Sequence, residues 1–534
     1  MKNPLVLDNL NSMFSRLASL RGEARALHHA RFARPHELDP LVSRSLDEEA
    51  LLIGRTHLGG IYRVRKTPNR RELGNMLVVA PPRTGKSRLG ISQLLTWPDS
   101  VVAVDLKGEL YQESGGYRST LGPVYVIDLR GLGNQYDPFG AITEEDALFD
   151  AAKNILYDPH EGSGRSFTEW GILIEVLKWQ ACLELNRKTG ANYRLLPFTR
   201  WLARLGINPA AKALNAISPR IAQALFDGEY DGSLDYRDNR YFANSWQSSR
   251  ARSFPLLTDK VVRCFNGSDF TGADIIAGEA PVSVYIRVPQ GMLESKAPVL
   301  RLILESISTE MFATHDTRKG QGCRPVLMLL DEAGTVGFQK LPEYAATAAG
   351  RGVSLWLALQ DIGQLERYGS YNARAIRNSM AAKVFFHQND PATAKHIEEL
   401  AGYMSGYSHS ETLRDGEVAS QGRSETAVAL FPMRDSLELE KEDILFFVDN
   451  YKPGRGKSLA PWHIPLLAKR SLIPPPPVKE LPPVPEIVLP DEHEPLANED
   501  IHLDTPDTLF PSVRDPEPSR NPQTTIFKGK RKGK

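Results

Sequence analysis

The sequence lacks the features that would tie it to a membrane, an oxidising compartment or a charged polymer. No run approaches eighteen consecutive apolar residues, so no transmembrane helix is expected. The first residues, Met1 to Asp8, have no apolar core of the kind a signal peptide needs. The expectation is a cytoplasmic chain, or one that docks at a membrane through something else. Cysteine is scarce: Cys182, Cys264 and Cys323 stand far apart in 534 residues, without metal-ligand spacing. That fits a reducing compartment and buried structural thiols. Net charge is missing as well, 65 basic residues balancing 65 acidic ones. Nucleic acid would therefore have to be met by a local patch or a lined channel. What remains is ordinary globular composition, 41% hydrophobic and 24% charged, with enough chain for two or three domains.

One stretch stands out from that background: Asn75-Met-Leu-Val-Val-Ala80-Pro-Pro-Arg-Thr-Gly85-Lys86-Ser87. Met76 to Ala80 reads as a buried strand, and Arg88 to Leu95 carries apolar residues at helical spacing. Strand, loop, Gly-Lys-Ser and helix in that order make a phosphate-binding loop. It would consist of Ala80, Pro81, Pro82, Arg83, Thr84, Gly85, Lys86 and Ser87. Loop N–H groups and the helix N-terminus offer partial positive charge to a triphosphate such as ATP. Lys86 can reach the β- and γ-phosphates, and the Ser87 hydroxyl can ligate Mg²⁺. Ala80 stands where the first glycine is usual, and would fit poorly if that position needed a positive φ.

Further apolar runs read as strands over 100–105, 123–128, 280–288, 325–330, 352–359 and 381–386, with helical segments between most of them. This predicts an α/β fold with a mostly parallel sheet covered on both faces. Asp105 and Asp128 end two of the strands, where open α/β sheets keep their ligands. Each is either a ligand-facing group or a polar cap. Residues 51–65 read as a hairpin turning at Gly59-Gly60, and 404–428 as an exposed polar hairpin. No strand pattern occurs between 142 and 278, which predicts an inserted all-α domain. The expected organisation is a helical segment over 1–50, the first part of the α/β domain over 51–141, the insert over 142–278, the second part over 279–471, and a tail over 472–534. A weakly amphipathic helix over 9–32 could dock on a partner or a membrane, or pack on its own domain. The Pro-rich tail is expected to be disordered, and its basic end could touch nucleic acid or acidic lipid.

The run ending Leu330-Asp331-Glu332 supplies the second half of a nucleotide-triphosphate motor. Asp331 would assist Mg²⁺ through a water, and Glu332 would orient the water that attacks the γ-phosphate. Gln360, at the tip of a following strand, is placed to sense that phosphate. Arg351, before the same strand, is either an arginine finger for a neighbouring subunit or a solvated loop residue. Gly454-Arg-Gly-Lys-Ser458 imitates the loop but has Tyr451 at the first glycine's position, and reads as a basic turn.

These pieces, in this order, resemble the coupling proteins of type IV secretion systems, the TraG/TraD-type conjugative ATPases. The matching residues are Ala80 to Ser87, Leu95 to Glu109, Tyr136-Asp-Pro-Phe139, Val284-Tyr-Ile286, Leu330-Asp-Glu332, Gly350-Arg-Gly352, and Gln360 to Leu365 followed by Tyr368-Gly369. The similarity spans about residues 50 to 470. It implies a RecA-like P-loop NTPase, assembled as a hexameric ring at the inner membrane. Such a ring recruits DNA, a relaxase–DNA complex or an effector protein and couples ATP hydrolysis to export. Carried over by position, Lys86 and Ser87 would bind ATP and Mg²⁺, Asp331 would assist the metal, Glu332 would activate water and Gln360 would sense phosphate. The all-α insert would face the substrate. Family members usually begin with a transmembrane hairpin, which is not found in this sequence. A separate anchoring subunit would reconcile the two, as would a soluble DNA translocase. An adaptor that uses nucleotide only as a switch is the reading from another class.

Overall fold

The computed structural model describes residues 29–489, apart from 44, 69, 141, 143–144, 157–164, 227–230, 333, 335–337, 339 and 415–416. Alternating apolar residues dictate its centre. Leu77 and Val79 point into one core, and Met76, Val78 and Ala80 into another on the opposite face of the sheet. The neighbouring strands divide in the same way, so the sheet is buried on both sides.

The strands are β1 (Val42–Ser43), β2 (Ala50–Arg55), β3 (Ile61–Arg65), β4 (Asn75–Val79), β5 (Ser100–Asp105), β6 (Val124–Asp128), β7 (Leu132–Gly133), β8 (Ser283–Arg287), β9 (Val326–Leu330), β10 (Val353–Leu359), β11 (Met380–Phe385), β12 (Tyr403–Arg414), β13 (Glu417–Ala429), β14 (Asp443–Val448) and β15 (Gly454–Lys457). Thirteen of them form one sheet in the order β1-β3-β2-β15-β14-β11-β4-β10-β9-β5-β8-β6-β7. The run from β11 to β6 is parallel throughout. The other strands join antiparallel. Val79 lies beside Leu359, and Leu330 beside both Leu357 and Val104, so the carboxyl ends of β4, β10, β9 and β5 come out together. That shared end is where such a sheet places its ligand.

The Lys86–Thr96 helix covers one face, and its buried Gln93 ties it to the antiparallel wing. A register shift between Leu52 and Gly54 marks a bulge in β2. The Gln93 amide serves that bulge, accepting from Leu52 N at 2.7 Å and donating to Ala50 O at 3.0 Å. The opposite face carries the Leu293–Arg318 helix and helices between Glu145 and Ala277. Among the described residues no strand lies between β7 and β8.

Three expectations need correction. Residues 9–28 of the expected helix lie outside the described residues; its last residues are not helical, for Ala30 donates to Tyr403 O at 3.0 Å. Among the described residues, the rest of the 1–50 segment holds one four-residue helix, Pro35–Leu38, a 3-10 turn, Asp39–Leu41, and short strands. The imitation loop at 454–458 is no solvated turn but β15, inside the sheet. Gly454 is required there, since a Cβ would come within 2.2 Å of the Phe446 ring. Finally, residues 472–489 of the tail run extended and packed. Polyproline backbone carries no internal hydrogen bonds, so its carbonyls are free to serve neighbours. The Tyr111 hydroxyl donates to Pro476 O, Gly133 N to Lys479 O at 2.7 Å, and Leu481 N to Gly131 O at 3.0 Å. At Gly116 the strap passes so close that a Cβ would stand 2.0 Å from Ile473 O.

Candidate active site

The loop leaves β4 at Ala80, whose N–H donates to Leu359 O at 2.9 Å. Ala80 is fully buried and does not have a positive φ, so the missing glycine costs no backbone strain. The left-handed positions are instead Gly85, at φ 111°, and Arg83, at φ 68°. Glycine adopts such a φ freely and arginine does not, so the loop holds Arg83 in a costly conformation. Thr84 Oγ1 donates to Pro81 O at 2.7 Å and closes the turn. Lys86 then opens the helix, whose first N–H groups lack helical partners and face the loop.

The carboxylates arrive from β9. Lys86 Nζ lies 3.2 Å from Asp331 Oδ1 and 3.5 Å from Glu332 Oε1. Ser87 Oγ donates to Asp331 Oδ2 at 3.4 Å, and Gln360 Nε2 to Glu332 Oε2 at 3.5 Å. Asp331 Oδ1 is buried and accepts no hydrogen bond, being off-angle to Lys86. A hydroxyl beside a carboxylate with a buried oxygen that accepts no hydrogen bond suits a hard cation such as Mg²⁺. Glu332 has φ 63°, a second non-glycine residue held left-handed at the site. Lys86, Ser87, Asp331, Glu332 and Gln360 are thus brought together from residues up to 274 positions apart in sequence (360 − 86).

Arg351 is not among them. It precedes β10 while Gln360 follows it, which puts roughly 23 Å of strand between the two. Its guanidinium pairs with both oxygens of Asp316, at 3.0 to 3.2 Å, and lies over the Phe312 ring. Asp105 accepts from Gly108 N and Tyr111 N, both at 2.8 Å, and so caps the next helix; burial raises its pKa. Asp128 pairs with Arg130 and, at 3.5 Å, with Arg287. Both aspartates serve the protein's own groups.

The site is a cavity of about 420 Å³, and only half of its wall was expected. Pro81 to Arg88, Glu332 and Gln360 form one side, joined by Lys107 and Glu109. Lys107 Nζ stands 3.9 Å from Glu332 Oε1, a second cation beside that carboxylate. The far side is Lys441, Glu442, Ser458 to Ala460, Trp462 and His463, from around β14 and β15. Arg55 of β2 fixes this side, donating to Ser458 O at 3.0 Å and Glu442 Oε2 at 2.8 Å. No local pattern marks these residues. The pairing of β14 with β11, the neighbour of β4, brings them in, and the pairing of β15 with β2, some 400 positions apart, holds them.

The comparisons with known proteins agree with this geometry. The family model described as type IV secretory system conjugative DNA transfer matches residues 43–158 and 239–475. The chain belongs to that family. Among its relatives, a conjugal transfer protein TraG of Escherichia coli is 25% identical over 384 residues, 66% of this chain and 58% of that one. Protein VirD4 of Rhizobium radiobacter is 25% identical over 348 residues, 62% of this chain and 48% of that one. The chain therefore spans about half the length of these relatives. Among solved structures, the conjugative coupling protein TrwB has a TM-score of 0.59 at 16% identity, covering 82% of this chain and 95% of that one. TrwB in complex with ADP and Mg²⁺ gives 0.58 at 15%, covering 82% and 96%. The fold of this family member is thus that of TrwB, α/β with a RecA-like, mostly parallel sheet. Among the described residues no helix is long and apolar enough to cross a membrane.

Proposed function

We propose that this chain is an ATPase that couples Mg²⁺-dependent ATP hydrolysis to the transfer of DNA, or DNA-linked protein, toward a type IV secretion channel. The observation that carries the reading is the convergence of Lys86, Ser87, Asp331, Glu332 and Gln360 at one strand-end cavity. Ser87 and Asp331 would hold Mg²⁺, which neutralises charge on the phosphate oxygens. Lys86, the cation shared by two carboxylates, would move to the β- and γ-phosphates. Glu332 would accept a proton from the attacking water, and Gln360, which donates to Glu332, would sense the γ-phosphate. Chemistry of this kind rests on positioning and charge stabilisation. Binding of ADP and Mg²⁺ by TrwB, on the same fold, supports the choice of ligand.

A homo-oligomeric ring, probed as a hexamer, and inner-membrane secretion components are the partners the family suggests. In such a ring Arg351 would act only across a subunit boundary, after leaving Asp316. Ala80, the one residue that encourages the adaptor reading, fits its position without a positive φ, which supports the ATPase over the adaptor. The test is ATP hydrolysis by the purified chain with and without single- and double-stranded DNA, beside Glu332→Gln. Stimulation by DNA that Glu332→Gln abolishes is expected. ATP binding with no turnover under any DNA condition would return the adaptor. Directional movement along duplex DNA without a secretion partner would favour a soluble translocase.

A further inference from the structure

The cavity has two unlike ends. One is cationic and built for phosphate, around Lys86 and Ser87. The other is aromatic. Trp462 stands there 60% exposed, although it lines the cavity with its neighbours Ala460 and His463. The Arg88 guanidinium lies 5.1 Å from the Trp462 ring centre and is itself held by an ion pair to Glu113. His463 meets the indole edge-on, with ring centres 5.8 Å apart and planes at 67°. The indole is thus propped by a fixed cation and a fixed imidazole, and keeps open surface toward the cavity.

Several polar groups around it are already engaged. His463 Nδ1 accepts from Ala460 N at 3.0 Å, Glu442 goes to Arg55, and the Glu442 carbonyl accepts from Ser458 N at 2.6 Å. What this end offers a ligand is chiefly π surface.

We propose that Trp462 is the platform for the nucleobase of the bound triphosphate, holding it by stacking and not by a hydrogen-bonded readout of its edge. The proposal rests on the phosphate-loop reading and deepens it. Arg88 sits two residues beyond Lys86, so a nucleotide whose phosphates lie on the loop can extend past Arg88 to the indole. Every base has a π face, so stacking tolerates a change of base. Adenine and guanine nucleotides should therefore depend on Trp462 to the same degree.

The test is titration calorimetry of the full chain with Mg²⁺ and non-hydrolysable analogues of ATP and GTP, and with inorganic tripolyphosphate, which has phosphates but no base. Trp462→Ala should weaken both analogues about tenfold and leave tripolyphosphate unchanged, while Trp462→Phe keeps most of the affinity. An exposed side chain can be removed without unfolding the chain, and an unchanged melting temperature checks this. Unchanged analogue affinity in Trp462→Ala would overturn the proposal. So would an equal loss for tripolyphosphate, which marks a prop for the loop, or a loss for one base alone, which marks an edge readout. Lys86→Ala, run alongside, should lose analogues and tripolyphosphate alike. If it binds like the wild type, the loop reading fails and the platform falls with it. A weakened Lys86→Ala beside an unchanged Trp462→Ala sinks the platform alone.

Discussion

The sheet has two halves built on different rules, and the cavity lies where they meet. From β11 to β6 the strands are parallel, nearly wholly buried, and register-matched so that their carboxyl ends align. From β14 to β1 they are antiparallel, short in places, and broken by a bulge at Leu52 to Gly54. The parallel half holds Lys86, Ser87, Asp331, Glu332 and Gln360, the groups proposed to act on phosphate. The antiparallel wing supplies the opposite wall through 441–463. A phosphate site needs backbone fixed to within a fraction of an ångström, which close-packed parallel strands provide. A wall that meets a ligand by its flat surface tolerates a looser mount.

The sharpest way to break this contrast is Lys86→Ala. It removes the cation shared by two buried carboxylates, and turnover should fall below detection in a chain whose circular dichroism shows it still folded. Retained ATPase activity would place the chemistry elsewhere. Next in size is Gln93→Leu, which strands Leu52 N and Ala50 O without partners at the bulge. We expect a loss of about 2–3 kcal/mol in urea unfolding. A change within error would show that the wing is held by packing alone. Arg55→Ala is the mildest. It frees Glu442 and the Ser458 carbonyl, and should raise KM for ATP a few-fold with kcat kept. A fall in kcat at constant KM would mean that the wing reaches the reacting phosphate, and the division of labour would be gone.

The same contrast explains what could be read in advance. Lys86, Ser87, Asp331 and Glu332 were legible because each sits at a fixed step from the end of a buried strand, and strand ends can be read locally. Gln360 followed by the same rule. Arg351 did not, because a residue before a parallel strand emerges at the opposite edge from one after it. Trp462 and its neighbours carry no such mark. Their place depends on β15 meeting β14 and β2, and pairing over hundreds of residues is set by packing that no local pattern records. The strap over 472–489 was misjudged for a related reason. Its proline content argues against a helix or a strand, and says nothing about a groove lined by Gly115 and Gly116 that accepts an extended chain. The positive φ at Arg83 and Glu332 likewise belongs to the folded loop, and neither residue type announces it.

That strap has a consequence for how copies of the chain can come together. An open sheet normally offers two unpaired borders that invite another strand. Here the strap takes up Gly133 N and Gly131 O beside β7, and the far border is a two-residue strand, Val42–Ser43. Neither margin presents a long ladder to a second molecule. An assembly through the borders of this sheet would then be made of side chains laid against side chains, a junction that can loosen and re-form without tearing backbone hydrogen bonds.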